Sequence, residues 1–206
     1  MGYSTIKESA SAEFVEKKSR FIGYIAPVKT AEDAAAFIAE IKRKHWDATH
    51  NVSAYLLKNG QKKYSDDGEP QGTAGMPMLD VLEKENLTDV CVVGTRYFGG
   101  ILLGGGGLVR AYSHTAKIAV DAAQILNMVE CKVLSVMVDY GLYNKLLYVL
   151  PEYEIKVLSS EYGAEIILKL LIKQERYSAF EKMFRELTNG QRTIQILEEI
   201  FDFFNC

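Results

Sequence analysis

A glycine-rich run at residues 99–107 constrains the fold more than any other part of this sequence. It follows an apolar, strand-like segment, VCVVGTRYF, and it precedes a stretch with the composition of a helix. Six of the nine residues are glycine: Gly99, Gly100, Gly104, Gly105, Gly106 and Gly107. Glycine tolerates positive φ and lets another group approach the backbone closely. The run therefore predicts a tight turn from a strand into a helix.

The same run is suited to holding an anion. The first turn of a helix presents unpaired N–H groups and a partial positive charge, and Arg96 and Arg110 flank the glycines. An alternative is that the glycines only allow tight packing of the helix on the sheet, with nothing bound. The run fits neither common nucleotide motif. Gly107 is followed by Leu108 where a P-loop has lysine, and the glycine spacing departs from the dinucleotide fingerprint.

Composition and charge limit the class of protein. The 206 residues are 48% hydrophobic and 25% charged, which is typical of a soluble globular protein with one or two domains. No apolar run reaches the roughly 18 residues of a membrane span, and the N-terminus lacks the apolar core of a signal peptide. Cys91, Cys131 and Cys206 lie far apart, as expected of reduced thiols in the cytoplasm. With a net charge of −3, any nucleic-acid binding must come from a local basic patch.

The order of predicted elements indicates an α+β protein with two domains, residues 1–130 and 131–206. In the first domain we expect strands at 13–19, 20–28, 51–58 and 90–95, and helices at 31–45, 77–85 and 106–124. Thr30 and Asp33 form an approximate capping box before the first helix. The second domain has the order β-α-β-β-α-β of a ferredoxin-like unit. Its predicted strands are 131–140, 154–160, 165–173 and 192–201, and its helices are 143–150 and 176–187.

Three carboxylates, Asp66, Asp67 and Glu69, lie in a predicted loop at residues 61–78. They could bind a hard cation such as Mg²⁺, but their spacing matches no metal motif, and we expect neither metal nor cofactor. Alternatively, Asp66 or Glu69 caps the following helix or pairs with an arginine across a shared cleft. A third alternative is that all three are solvated turn residues. His50 begins a strand and could face this loop as an acid/base or phosphate contact, or as a structural hydrogen-bonding residue.

Arg96 and Tyr97 end the central predicted strand, where folds of this type often bind ligands. An arginine with adjacent aromatic rings can clamp a phosphate and stack a base. The alternative is an internal salt bridge between Arg96 and the acidic loop. Cys91 lies mid-strand in an apolar run, so we expect an inert core thiol. No nucleophile–base arrangement is evident, and no residue is assigned a catalytic role.

Four segments together resemble the YigZ/IMPACT family: KSRFIGYIAPV (18–28), DATHNVSAYLL (47–57), SDDGEPQGTAGMPML (65–79) and TRYFGGILLGGGGLVRAYS (95–113). The resemblance implies an N-terminal domain like the second domain of a small-subunit ribosomal protein, shared with elongation factor G. It also implies a ferredoxin-like C-terminal domain similar to a later domain of that factor. In this family, eukaryotic relatives regulate translation by binding a co-activator of a stress kinase. The bacterial members have been proposed to bind nucleic acid or the ribosome.

From these features we expect a cytoplasmic binding or regulatory protein linked to translation. Its working surface would combine residues 66–75, 96–98 and 99–110, and its ligand would be RNA, the ribosome or a protein partner. We expect no membrane association and no sequence-specific DNA binding. Two alternatives remain open: an enzyme or phospho-ligand binder that uses the same cleft, and a purely structural role for both motifs.

Overall fold

The computed structural model describes residues 2–204, and the chain divides into two compact units. The first unit is Tyr3–Asn127, and the second contains the described residues from Met128 onward together with Gly2. The division between Asn127 and Met128 lies inside a strand, whereas the order of predicted elements indicated a boundary after residue 130. Two sheets and five α-helices in the described part of the chain confirm the α+β class. Among those helices, none is both long enough and apolar enough to cross a membrane.

The first unit contains one antiparallel five-stranded sheet and three helices. The strands pair in the order β2-β3-β6-β4-β5. The elements are β1 (Tyr3–Ile6), β2 (Ala10–Glu16), β3 (Ser19–Pro27), α1 (Ala31–Lys44), β4 (His50–Leu56), β5 (Lys62–Ser65), α2 (Gly75–Lys84), β6 (Val90–Tyr97) and α3 (Gly105–Asp121).

The central strand β6 is buried on both faces because helices cover both sides of the sheet. Val92 packs in a cluster with residues of α2 and α3, including Tyr112. Its neighbour Cys91 packs in a separate cluster with residues of α1. This alternation follows from the two-residue period of a strand. Cys91 is fully buried, as predicted for a core thiol, and burial raises its pKa to about 12.

The second unit is a split βαβ fold. Its four strands pair antiparallel in the order β10-β7-β9-β8, the strand order of a ferredoxin-like sheet. Phe180 and Phe184 of α5 are buried in its core. The elements are β7 (Ile125–Val138), α4 (Tyr140–Val149), a short 3₁₀ helix (Leu150–Tyr153), β8 (Lys156–Tyr162), β9 (Ile166–Lys173), α5 (Gln174–Leu187) and β10 (Ile194–Phe203).

The ends of the elements confirm some local predictions and correct others. The Thr30–Asp33 capping box at α1 is present in full. The expectation of a loop throughout 61–78 was wrong, since its first residues form β5 and Gly75 already begins α2. All four residues of β5 are exposed, so their sequence carries no alternation of apolar and polar residues. Cys206 lies outside the described residues.

Gly23 gives a test of how β3 packs on α3. A Cβ at this position would lie 2.3 Å from the carbonyl oxygen of Thr115, a backbone atom that cannot move alone. We expect Gly23→Ala to destabilise the first unit by about 1–3 kcal/mol, as overpacking does. Urea unfolding followed by labelling of the buried thiol of Cys91 measures that unit alone. Gly106→Ala is the control, because its Cβ would meet nothing closer than 3.8 Å. Equal stability of the two variants would contradict the prediction.

Candidate functional site

Four strands of the first sheet begin or end at one edge, which we call the strand-end edge. Strand β2 ends at Glu16 and β3 begins at Ser19, and these two residues pair. Strand β4 begins at His50, which pairs with Arg96 near the end of β6. The antiparallel register therefore brings His50 and Arg96, far apart in the sequence, side by side. The loop at residues 66–74 and the glycine-rich turn both adjoin this edge.

A buried ion pair lies at the centre of the edge. Arg96 Nη1 donates to Glu69 Oε1 at 2.6 Å, and the two side chains are 6% and 4% exposed. The hydroxyl of Tyr112, on α3, donates to the same oxygen at 2.8 Å. Burial first, and then the charge of Glu69, raises the pKa of Tyr112. Glu69 thereby joins the loop to both β6 and α3, as one of the sequence alternatives expected.

Asp66 holds the start of α2. Its carboxylate accepts hydrogen bonds from the backbone N–H groups of Gly72, Ala74 and Gly75, at 2.8, 3.2 and 2.8 Å. The N-cap residue Ala74 has no side chain able to do this. Asp66 therefore satisfies donors that would otherwise be unpaired at the helix terminus.

Asp67 and His50 fix the loop to β4. The Asp67 carboxylate accepts from the Asn51 N–H and from Lys42 Nζ, both at 2.6 Å. His50 Nδ1 lies 2.7 Å from the Asp67 carbonyl oxygen, which can only accept, so Nδ1 carries the proton in this contact. His50 Nε2 then faces Glu69 Oε1 at 3.9 Å. All three acidic side chains have partners within the protein, and the described residues contain no group suited to a metal.

Arg96 and Tyr97 lie on opposite faces of the sheet, because successive side chains of a strand alternate between the two faces. Arg96 is buried on the α2–α3 side, and its guanidinium carbon lies 5.4 Å from the centre of the Phe98 ring. Tyr97 lies on the α1 side, where its hydroxyl is 2.8 Å from His45 Nδ1. Arg96 therefore forms the internal salt bridge with the acidic loop that the sequence offered as the alternative.

A hydrogen-bonded network surrounds His45, a residue that no sequence motif singled out. The Tyr97 hydroxyl donates to Asp47 at 3.1 Å and therefore accepts from His45 Nδ1. His45 Nε2 then accepts from the Tyr24 hydroxyl at 2.7 Å. Burial, followed by the charge of Lys44, lowers the pKa of His45. This network of hydrogen bonds positions the turn after α1.

The glycines of the turn fall into two groups. Gly104 has φ 72° and ψ 164°, a conformation almost restricted to glycine. Gly99 is needed for close approach, because a Cβ there would lie 2.0 Å from Lys18. Gly105 and Gly106 have neither requirement: both are exposed, and an added Cβ would meet nothing closer than 4.0 and 3.8 Å. The fold itself does not explain these two glycines.

Arg110 lies on a different side of α3 from the acidic loop. It lines a cleft of about 270 Å³ whose other charged or titratable lining residues are Glu16, Lys17 and His114. The loop and the glycine turn meet elsewhere, through the Glu69–Tyr112 hydrogen bond and the approach of Thr73 to Gly105. The predicted shared cleft thus separates into a buried network around Glu69 and an open cleft beside the first turn of α3. Gly107 lines that cleft as well, whereas Gly100, with φ 83°, only shapes the turn before it.

Comparisons with known proteins agree on one family. The Impact N-terminal domain matches residues 17–120, and a domain of unknown function (DUF1949) matches residues 136–191. The chain belongs to the IMPACT family. It is 39% identical to the IMPACT family member YvyE of Bacillus subtilis, over 94% of this chain and 90% of that protein. The resemblance recognised in the sequence is thereby confirmed.

Two further relatives extend the likeness over both units. The IMPACT family member YigZ of Escherichia coli is 31% identical over 89% of this chain and 92% of that protein. A crystal structure described as that of a hypothetical protein matches with a TM-score of 0.63 and 28% identity, over 96% of this chain and 98% of that one.

The buried ion pair allows a double-mutant test. Glu69→Gln leaves the Arg96 charge buried without its counter-ion, so we expect a loss of about 3–5 kcal/mol in the free energy of unfolding. Replacing both residues, Glu69→Gln with Arg96→Met, removes the uncompensated charge and should recover part of that loss. Urea unfolding of Glu69→Gln, of Arg96→Met and of the double variant measures this. Additive losses would show that the two side chains act independently.

His45 predicts a pH dependence of stability. Because its pKa is lowered in the folded state, the folded protein binds fewer protons than the unfolded chain below the ordinary value of 6.5. The contribution of His45 is therefore complete above pH 6.5 and declines as the pH falls towards its folded pKa. We expect His45→Gln to flatten the fall in stability between about pH 6.5 and 5. The measurement is urea unfolding at several pH values, and identical slopes for both proteins would contradict it.

Proposed function

We propose that this protein is an RNA-binding regulatory protein of translation, and that RNA phosphates bind at the first turn of α3 and in the adjoining basic cleft. The proposal is carried by Gly105 and Gly106, two exposed helical glycines with no packing or backbone requirement. Glycine is less favourable than alanine in a helix, by up to about 1 kcal/mol in its interior. Departures from local preference of this kind concentrate at functional sites. Bare backbone N–H groups at a helix N-terminus are suited to phosphate oxygens.

The charges around the turn support a phosphate ligand. Lys17 and Arg110 line the cleft, with His114 beside them and Glu16 as the one carboxylate. Such a local excess of cations can attract RNA although the whole chain carries a net charge of −3. The carboxylates of the acidic loop do not oppose this, since each is paired internally. In this proposal Asp66, Asp67 and Glu69 shape the loop, and the glycine turn and the cleft contact the ligand.

Replacing Gly105 or Gly106 by alanine should change RNA affinity and stability in opposite directions. We expect Gly105→Ala and Gly106→Ala each to stabilise the first unit by about 0.5–1 kcal/mol, because alanine favours the helix. The same methyl groups should weaken RNA binding, since they occupy the space that a phosphate would approach. Unfolding by urea and the anisotropy of a labelled RNA measure the two effects. Gly163→Ala, in the second unit, is the matched control, with ordinary contact distances for its Cβ. Unchanged RNA affinity in both helix variants would contradict the proposal.

The salt dependence of binding tests the phosphate contacts. Purified protein is titrated with ribosomes and with short RNAs over a series of salt concentrations. We expect Lys17→Ala and Arg110→Ala each to weaken binding and to reduce the slope of log affinity against log salt by about 1. Lys145→Ala removes an exposed charge in the second unit and should change neither quantity. Absence of binding by the folded protein would overturn the proposal, as would complete competition by a mononucleotide, which would favour a small phosphorylated ligand.

A further inference from the structure

Two exposed aromatic side chains lie near the strand-end edge, outside the cleft proposed for phosphate. Trp46 is 84% exposed and Phe98 is 45% exposed. Trp46 is the single tryptophan of the chain. Neither contributes to the buried clusters of the first unit, in contrast to Phe21, which is fully buried beside them in the sheet. Packing therefore does not account for these two rings.

Trp46 is presented by a turn that is well anchored. The preceding residue, His45, is held between two tyrosine hydroxyls, and its carbonyl oxygen accepts from Ala48 N–H and from Asn51 Nδ2, both at 3.1 Å. Thr49 N–H donates to the Arg96 carbonyl oxygen at 2.9 Å. The backbone on both sides of Trp46 is thus fixed to the sheet. A ring on such a support binds with little loss of conformational entropy.

Phe98 is fixed to the same turn. Its N–H donates to Thr49 Oγ1 at 3.0 Å, so Thr49 joins the segment of Trp46 to the segment of Phe98. The guanidinium of Arg96 lies 5.4 Å from the ring centre. Arg96 is buried, so it supports the ring from inside and leaves part of the ring open to solvent.

The charges around these rings are mostly positive. Arg43 and Lys44 lie in the last turn of α1, three and two residues before Trp46, and both are exposed, as is the carboxylate of Asp47 directly after it. Lys18 lies against Gly99, the residue after Phe98, and is exposed as well. Exposed aromatic rings among cations are the combination by which proteins bind single-stranded nucleic acid, because bases stack on the rings while cations contact the backbone. A duplex keeps its base faces stacked and offers none to these rings.

We infer that the RNA ligand is single-stranded, and that unpaired bases stack on Trp46 and Phe98 while its phosphates contact the first turn of α3. This inference rests on the proposed function. Six residue steps separate Phe98 from Gly104, so these two residues are at most about 22 Å apart. A short single strand can reach both.

Base stacking on Trp46 can be measured by fluorescence, because Trp46 is the single tryptophan of the protein. We expect a single-stranded 12-nucleotide adenosine RNA to quench this fluorescence, and the same RNA paired with its complement to quench it weakly. Trp46→Ala and Phe98→Ala should each weaken binding of the single strand by roughly 5- to 150-fold. Tyr148→Ala is the matched control, since Tyr148 is 81% exposed in the second unit. Anisotropy of a labelled RNA measures affinity in all variants.

The outcomes separate the inference from the proposed function. If the wild-type protein binds the labelled RNA but neither quenching nor the two aromatic variants show an effect, the stacking inference is wrong and the phosphate site stands. Equal affinity for duplex and single strand would also overturn the inference alone. If no RNA binds to the folded protein, the proposed function fails and the inference fails with it. Trp46→Phe, which keeps an aromatic face, should retain more affinity than Trp46→Ala.

Discussion

The ion pair between Glu69 and Arg96 is the interaction on which the strand-end edge depends. A buried carboxylate is strongly unfavourable unless its oxygens have partners. Glu69 obtains them from Arg96 on β6 and from the hydroxyl of Tyr112 on α3. The loop before α2 is therefore attached to the centre of the sheet and to the helix that carries the glycine turn. Removal of Arg96 would leave the buried carboxylate of Glu69 without its counter-ion, and removal of Glu69 would leave both donors without their acceptor.

This pairing also explains why the acidic loop and the glycine turn have different roles, although both contain unusual sequence motifs. Asp66 and Asp67 bind backbone N–H groups, and Glu69 neutralises a buried arginine. Each of these carboxylates has a partner within the protein. The adjoining glycine turn is exposed instead, because it contains the first residues of α3. Two of them, Gly105 and Gly106, are not required to be glycine by any neighbouring atom. The acidic loop therefore stabilises the strand-end edge, and the glycine turn remains exposed beside it.

Much of this arrangement was predictable from local chemistry. The capping box at Thr30 and the buried thiol of Cys91 follow from patterns of a few residues, and the strand order of the second unit follows from its element order. The opposite faces of Arg96 and Tyr97 follow from the period of a strand, yet adjacency in the sequence suggested a joint role. Strand β5 could not be found, because its exposed residues lack any apolar pattern. The pairing of each carboxylate with its donor depends on tertiary contacts and could not be predicted. His45 was missed because its tyrosine partners come from distant strands.

Arg96 connects the buried network to the surface. One guanidinium nitrogen binds Glu69, the guanidinium plane supports Phe98, and Nε has no partner among the described residues. A buried donor without a partner is unfavourable, so the position of Arg96 is set by the ion pair and the ring and not by complete hydrogen bonding. Loss of Arg96 would release Phe98 and uncover the charge of Glu69 at the same time. A binding defect in an Arg96 variant would therefore reflect loss of support for the Phe98 ring or loss of folding. Lys17 and Arg110 are exposed in the cleft, so a binding defect in a variant of either residue tests phosphate contact directly.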